Sequence, residues 1–186
     1  NADTAAERTA RPTHPVHVVL DNLRSAYNVG SIFRTADAAH CAEVVTCGFT
    51  PHPPLHPKLS KTGFGAGTSL FKHLYPDLEI LFSDRTWKGR GDACRQVSTY
   101  HLVPRNEPLR PEIPTNDLPW WQGVALVLGN EEIGVDTKVL AAADGVIEIP
   151  CFGAKNSLNV CSAASIVIYE ALRQWNSLNN STLPSE

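Results

Sequence analysis

Short apolar runs rich in valine and isoleucine alternate along this chain with longer stretches of helical period, and that alternation constrains the fold more than any other feature. HVVL ends at Leu20, EVVTC at Cys47, VALVL at Leu128 and GVIEI at Ile149. This is the pattern of βαβ units on a mostly parallel sheet flanked by helices, so the class is α/β. The expected strands are Val16–Leu20, Glu43–Cys47, Phe71–Tyr75, Gln96–Leu102, Val124–Leu128 and Gly145–Ile149. Helices are expected at Val29–His40, Asp77–Lys88, Asp136–Ala142 and Leu158–Trp175. In the last of these, Leu158, Cys161, Ile168, Leu172 and Trp175 fall mostly on one helical face, as a core-facing stripe does. Two stretches, Thr50–Lys61 with four prolines and Pro104–Pro119 with five, are read as surface loops.

With 186 residues and 42% hydrophobic content, the chain suits one well-buried domain rather than two. The division expected is a flexible arm over residues 1–15, a domain over 16–176 and a tail over 177–186. A formal charge of −3 argues against a generic polyanion-binding surface, so any nucleic-acid site must be a local basic patch. Five cysteines, Cys41, Cys47, Cys94, Cys151 and Cys161, form no C-x-x-C pair and have no histidine at zinc-finger spacing. Free thiols and no metal site are expected. No apolar run reaches the length of a membrane span, and residues 1–14 lack the apolar core of a secretory signal. A soluble intracellular protein is expected, with cytoplasm and organelle both open. The chain holds no methionine. A processed or trimmed product is therefore expected, and a removed organellar presequence is one route to it.

Three segments carry chemistry. NVGSIFR runs from Asn28 to Arg34. In LVLGNEEIG, Leu126 to Gly134, a buried strand runs out into G-x-E-x-x-G. IPCFGAKNSLNV, Ile149 to Val160, sets a Gly-rich loop and an SLNV turn directly before an amphipathic helix. In this order and across Val16 to Trp175, they resemble motifs 1, 2 and 3 of the SpoU/TrmH family, the ribose 2′-O-methyltransferases of the knotted SPOUT class. The resemblance implies a deep trefoil knot over roughly Ala125 to Trp175, with S-adenosylmethionine held in the loops after the knotted strands. It also implies an RNA substrate, tRNA or rRNA, and a homodimer, or a heterodimer with a related chain, whose site is completed across the interface.

Methyl transfer from a sulfonium to a hydroxyl is an in-line displacement, which sets three tasks. Holding the donor falls to Leu128, Gly129, Ile149, Leu158 and Asn159, at the positions of the family's donor contacts. Glycine at 129 is expected to permit close approach of the adenosyl group. Activating the hydroxyl falls to Arg34. A guanidinium is a poor general base, so Arg34 is expected to pin the neighbouring phosphate and stabilise the developing alkoxide. Orientation falls to Asn28, Glu131, Ser157 and Asn159, with Glu132 lacking the motif position. Asn28 is expected at the N-cap of a helix in which Arg34 lies well inside. Arg24, Lys58, Lys61 and Lys155 are the expected phosphate contacts, flanked by His52 and His56.

Each residue also has a plainer reading. Gly129, Gly134 and Gly153 taken singly are turn glycines. Ser157 and Asn159 are helix caps, Glu131 is a solvated acid and the basic residues are surface charges. Together with SLNV they read as a site. Two positions depart from the family pattern: Ala39, His40 and Cys41 stand where motif 1 commonly continues Ala-Phe-Gly, and Cys161 follows SLNV in place of a smaller residue. The GFGAG run at Gly63–Gly67 follows no clear strand and lacks a Gly-Lys-Ser/Thr ending, so it is no P-loop. A catalytically silent RNA-binding assembly factor on the same fold is the alternative function. A dinucleotide-dependent oxidoreductase is the weaker one, because G-x-G-x-x-G is missing after the first strand.

Overall fold

Six strands form one sheet: β1 (His14–Asp21), β2 (Cys41–Cys47), β3 (Phe71–Tyr75), β4 (Val97–Tyr100), β5 (Val124–Leu128) and β6 (Gly145–Ile147). Their order is β3-β2-β1-β5-β4-β6, and every pairing is parallel. The computed structural model describes residues 13–53, 70–76, 97–100, 124–143, 145–154 and 157–174. The helix expected at Asp77–Lys88, the GFGAG run, the second proline-rich stretch, Lys58, Lys61, Lys155, residues 1–12 of the arm and the whole tail lie outside these residues, while His14 and Pro15, expected in the arm, belong to β1. None of the described helices is long and apolar enough to cross a membrane.

Every residue of β5 is buried, as a central strand of a parallel sheet covered on both faces requires. Val16, Val18, Leu20, Leu126 and Leu128 pack on one face. Two helices cover that face, α1 (Ala26–Ala38) through Val29, Ile32, Phe33 and Ala36, and α3 (Val160–Gln174) through Ala163, Ala164, Val167, Ile168 and Leu172. Val19, Val45, Ala125 and Val127 face the other way, against Val135, Val139 and Ala143 around α2 (Thr137–Ala142). Cys41 lies in the first core, and burial pushes its thiol up to about 12 despite a backbone hydrogen bond acting the other way. It is a packed apolar group, not a nucleophile.

Three expectations need correction. Helix α1 opens at Ala26, three residues before the expected start, because Ser25 is its N-cap and accepts the Asn28 N–H on its side chain at 3.3 Å. Asn28 is therefore inside the first turn and its side chain is released from capping. The final helix begins at Val160, so Leu158 and Asn159 precede it. The first proline-rich stretch is not a free surface loop where it is described. Thr50 is 1% exposed and Pro53 is buried. The Thr50 hydroxyl lies 2.8 Å from the Cys47 carbonyl and 3.1 Å from that of Leu20, and it accepts the Leu23 N–H. This one side chain ties the loop after β2 to the loop after β1.

Candidate active site

The chain leaves β1 toward β2 on one side of the sheet, while β5 flanks β1 on the other. Ligands of open α/β sheets bind outside the carboxyl ends of the strands at such a switch point. The cleft lies there. It encloses about 610 Å³, including space open to solvent, and is lined by Asn28, Leu128, Gly129, Asn130, Glu131, Gly134, Ser157, Leu158, Asn159 and Val160. The three sequence segments, more than a hundred residues apart at their extremes, thus meet in one wall.

The loop after β5 is shaped by its own backbone. Gly134, at φ +77, returns its N–H to the Asn130 carbonyl at 2.9 Å, closing a small antiparallel bridge. A Cβ on Gly129 would stand 2.4 Å from the Gly134 oxygen and 2.5 Å from the Val135 nitrogen. Close approach at Gly129 is therefore required first by the protein's own chain. Asn130 pins the same loop, accepting the Glu132 and Ile133 N–H groups at 2.9 and 3.2 Å and donating to the Asn22 carbonyl at 2.8 Å.

Glu131 is the hub between segments. Its Oε2 accepts the Arg24 N–H (2.8 Å), and its Oε1 accepts the Ser25 N–H (3.1 Å) and Asn28 Nδ2 (3.0 Å). Partial burial works against the charged form, but the hydrogen bonds from the Arg24 backbone, the Asn28 side chain and the Glu131 and Ser25 backbones together outweigh it. The carboxyl is held below its usual range. Asn159 Nδ2 donates to Asn28 Oδ1 at 3.2 Å, and Asn159 Oδ1 accepts the Cys161 N–H at 2.9 Å. Chemistry dictates the amide orientations, since an ionised carboxylate only accepts and a backbone N–H only donates. A single directed chain of hydrogen bonds, Cys161 to Asn159 to Asn28 to Glu131, joins the starts of α3 and α1 to the loop after β5. The capping reading of Asn159 and its site reading hold together.

Of the residues expected from sequence, Asn28, Leu128, Gly129, Glu131, Ser157, Leu158 and Asn159 meet at the cleft. Ile149 does not line it; the side chain packs, partly buried, against the core beneath α3. Arg34 is exposed on α1, six residues from Asn28 and about 120° from it around the helix, and it does not line this cleft. Arg24 is exposed at the rim, where its guanidinium pairs with Glu132. Sequence reasoning missed Ser25 and Asn130. The signals were a serine three residues before Asn28, and an asparagine directly after the strand-ending glycine.

An open parallel α/β sheet with a cleft at its switch point, walled by backbone-rich loops and crossed by a fixed polar chain, is the arrangement of a small-ligand site in an α/β protein. The chain matches the SpoU rRNA Methylase family over residues 15–169. It is 31% identical over 157 residues to a tRNA (guanosine(18)-2′-O)-methyltransferase of Thermus thermophilus, covering 84% of this chain and 74% of that protein. It is 27% identical over 168 residues to the protein of that name in Escherichia coli, covering 90% and 67%. The SpoU methyltransferase AviRb from Streptomyces viridochromogenes, solved with AdoMet, superposes with a TM-score of 0.72 at 26% identity, covering 95% of this chain and 66% of that one. Matched relatives include bacterial and mitochondrial proteins. This chain belongs to the SpoU/TrmH family of RNA 2′-O-methyltransferases, of the SPOUT class.

Proposed function

We propose that this protein transfers a methyl group from S-adenosylmethionine to a ribose 2′-hydroxyl of tRNA or rRNA, working as a homodimer of the domain spanning 16–176. The observation that carries the reading is the hydrogen-bonded chain from Asn159 through Asn28 to Glu131 across the cleft at the carboxyl ends of β1 and β5. The cleft fits the donor: backbone at Leu128–Asn130 and Gly134 and the side chains of Leu158 and Val160 suit an adenosyl group, while Ser157 and Asn159 supply hydrogen bonds to polar ends. When bound, the donor supplies the electrophilic methyl. The knot expected over Ala125–Trp175 belongs to this reading.

Glu131 does not take the hydroxyl's proton, because both of its oxygens are occupied and its carboxyl is held low. It positions Asn28 and the start of α1. Arg34 holds the phosphate beside the target ribose and stabilises the developing alkoxide, the hydroxyl's proton leaving to that phosphate or to water as the methyl is transferred. Its exposed place away from the cleft, on the α1 face that also presents Tyr27 and Ser31, supports action on donor bound in the second copy. On α3, Ile166 and Tyr169 are exposed as well, which supplies an apolar surface for pairing.

The test is a calorimetric titration with S-adenosylmethionine, followed by transfer of labelled methyl to unmodified tRNA and rRNA transcripts with nucleoside analysis. Saturable binding near one per protomer and a 2′-O-methyl product are expected. Folded protein that binds no donor at millimolar concentration refutes the reading in favour of an RNA-binding assembly factor.

A further inference from the structure

The loops after β1, β2 and β5 are locked to one another. Asn22 has left-handed backbone, φ +53, and its Oδ1 accepts the Phe49 N–H at 3.3 Å while its carbonyl accepts Asn130 Nδ2 at 2.8 Å. Gly48, at φ +61, lies against that side chain so tightly that a Cβ would stand 2.0 Å from Asn22 Oδ1. Asn130 lines the cleft. The Phe49 backbone is thus fixed two hydrogen bonds from the cleft wall, in a turn that carries one left-handed residue, Gly48, and packs on another, Asn22 of the loop after β1. Its ring is nonetheless 62% exposed. The neighbouring His52 ring, by contrast, stacks on Phe71, with centroids 5.8 Å apart and planes 16° from parallel. A rigid turn that holds a large apolar ring in water forgoes the gain of burying it.

We propose that Phe49 is a stacking platform for an unpaired RNA base beside the ribose presented to the cleft, a positioning contact for the substrate. The proposal rests on the methyltransferase reading. A chain of net charge −3 draws little non-specific affinity from phosphates, so an RNA substrate must be gripped by other means. Bringing one ribose to a recessed donor draws its nucleotide out of the helical stack, and the bases left behind lose a stacking partner. An exposed phenyl ring replaces that partner without regard to base identity, because every base has a π-face. The Asn22 linkage to Asn130 makes the geometry useful, since it fixes the backbone that carries the ring relative to the cleft wall.

The experiment uses the whole chain with two probes, unmodified tRNA transcripts and a short oligouridylate carrying one 2-aminopurine. Phe49→Ala is expected to weaken transcript binding about 5- to 150-fold, the range of one lost base–aromatic stack. Donor affinity and sedimentation behaviour should stay unchanged, and Phe49→Trp should restore binding. Wild-type protein should quench the 2-aminopurine, and the alanine variant should not. Wild-type RNA affinity in a folded Phe49→Ala variant overturns the proposal, and so does a loss of self-association, which would make Phe49 a contact between copies. Should the alanine variant fail to fold, unquenched 2-aminopurine with both wild type and Phe49→Trp overturns it equally. Methyl transfer that persists without any Phe49 effect sinks this proposal alone, whereas a wild-type protein that binds neither donor nor RNA sinks the methyltransferase reading with it.

Discussion

Replacing Gly129 by alanine tests how the donor loop is built. The added methyl carbon would stand 2.4 Å from the Gly134 oxygen and 2.5 Å from its carbonyl carbon and from the Val135 nitrogen. Ordinary contact begins near 3.4 Å, so the Gly134–Val135 backbone must retreat by about 1 Å, with no flexible side chain to absorb the move. The Gly134 N–H donates to Asn130 at 2.9 Å, and a retreat of that size takes it out of hydrogen-bond range. Overpacking of this kind costs about 1–3 kcal/mol. For a chain of this length, about 2 kcal/mol lowers Tm by about 4–8 °C. Because the same loop carries Asn130 and Glu131, donor affinity should fall at least about tenfold, the equivalent of about 1.4 kcal/mol. Gly153→Ala is the control, since nothing lies within 4 Å of a Cβ there, and it should leave Tm unchanged. Scanning calorimetry and donor titration of both variants decide the matter. A Gly129→Ala protein with wild-type Tm and donor affinity would refute the argument that Gly129 is required by its contact with Gly134–Val135.

Glu131→Gln should cost stability near neutral pH, and the gap to wild type should narrow on acidification in urea titrations from about pH 7 to about pH 3. The native carboxyl lies below its unfolded value near 4.5, so its contribution is whole above that value and is lost as pH falls through the lowered one. A gap that widens in acid would contradict the assignment. Ser25→Ala should destabilise by about 1 kcal/mol and Ser25→Gly by only a few tenths, as an N-cap requires, read from denaturation midpoints. Arg34→Lys should retain donor binding but lose about tenfold or more in turnover, because an ammonium cannot grip a phosphate bidentately; near-full turnover would count against that role. Glu132→Gln removes the carboxylate that engages Arg24 at the rim, so unmodified tRNA transcripts should bind more tightly and with a salt slope steeper by up to about 0.9. An unchanged slope would place Arg24 off the RNA path.

Strands were legible where burial on both faces makes them continuous apolar runs. Val124–Leu128 is such a run and has the bounds that its valine and leucine content predicted, while the edge strand Phe71–Tyr75 also has its expected bounds without being one. The start of α1 was less legible. Serine and asparagine are both good N-caps, and local sequence does not say which of Ser25 and Asn28 is needed elsewhere. Glu131 settles that choice from more than a hundred residues away by engaging the Asn28 amide. Ile149 was placed at the site by its position in the motif, but the turn after β6 leaves it packed on the core. Thr50 was read as part of a surface loop because prolines follow it, yet its buried hydroxyl is committed to three backbone groups, those of Leu20 in β1, Leu23 in the loop after β1 and Cys47 at the end of β2.

By itself the sequence determined the α/β class, the buried strands and the three short segments that carry the chemistry, because periodicity and local residue type act over a few neighbours. Only the tertiary structure decided how those segments share one site. The parallel sheet brings the ends of β1 and β5 side by side, and a directed hydrogen-bond chain needs donors and acceptors from all three segments within about 3 Å of one another. That proximity is set by strand register and packing, which no local stretch of residues encodes. The same holds for Gly129, whose need for a bare Cα arises from a fold-back of the chain five residues later.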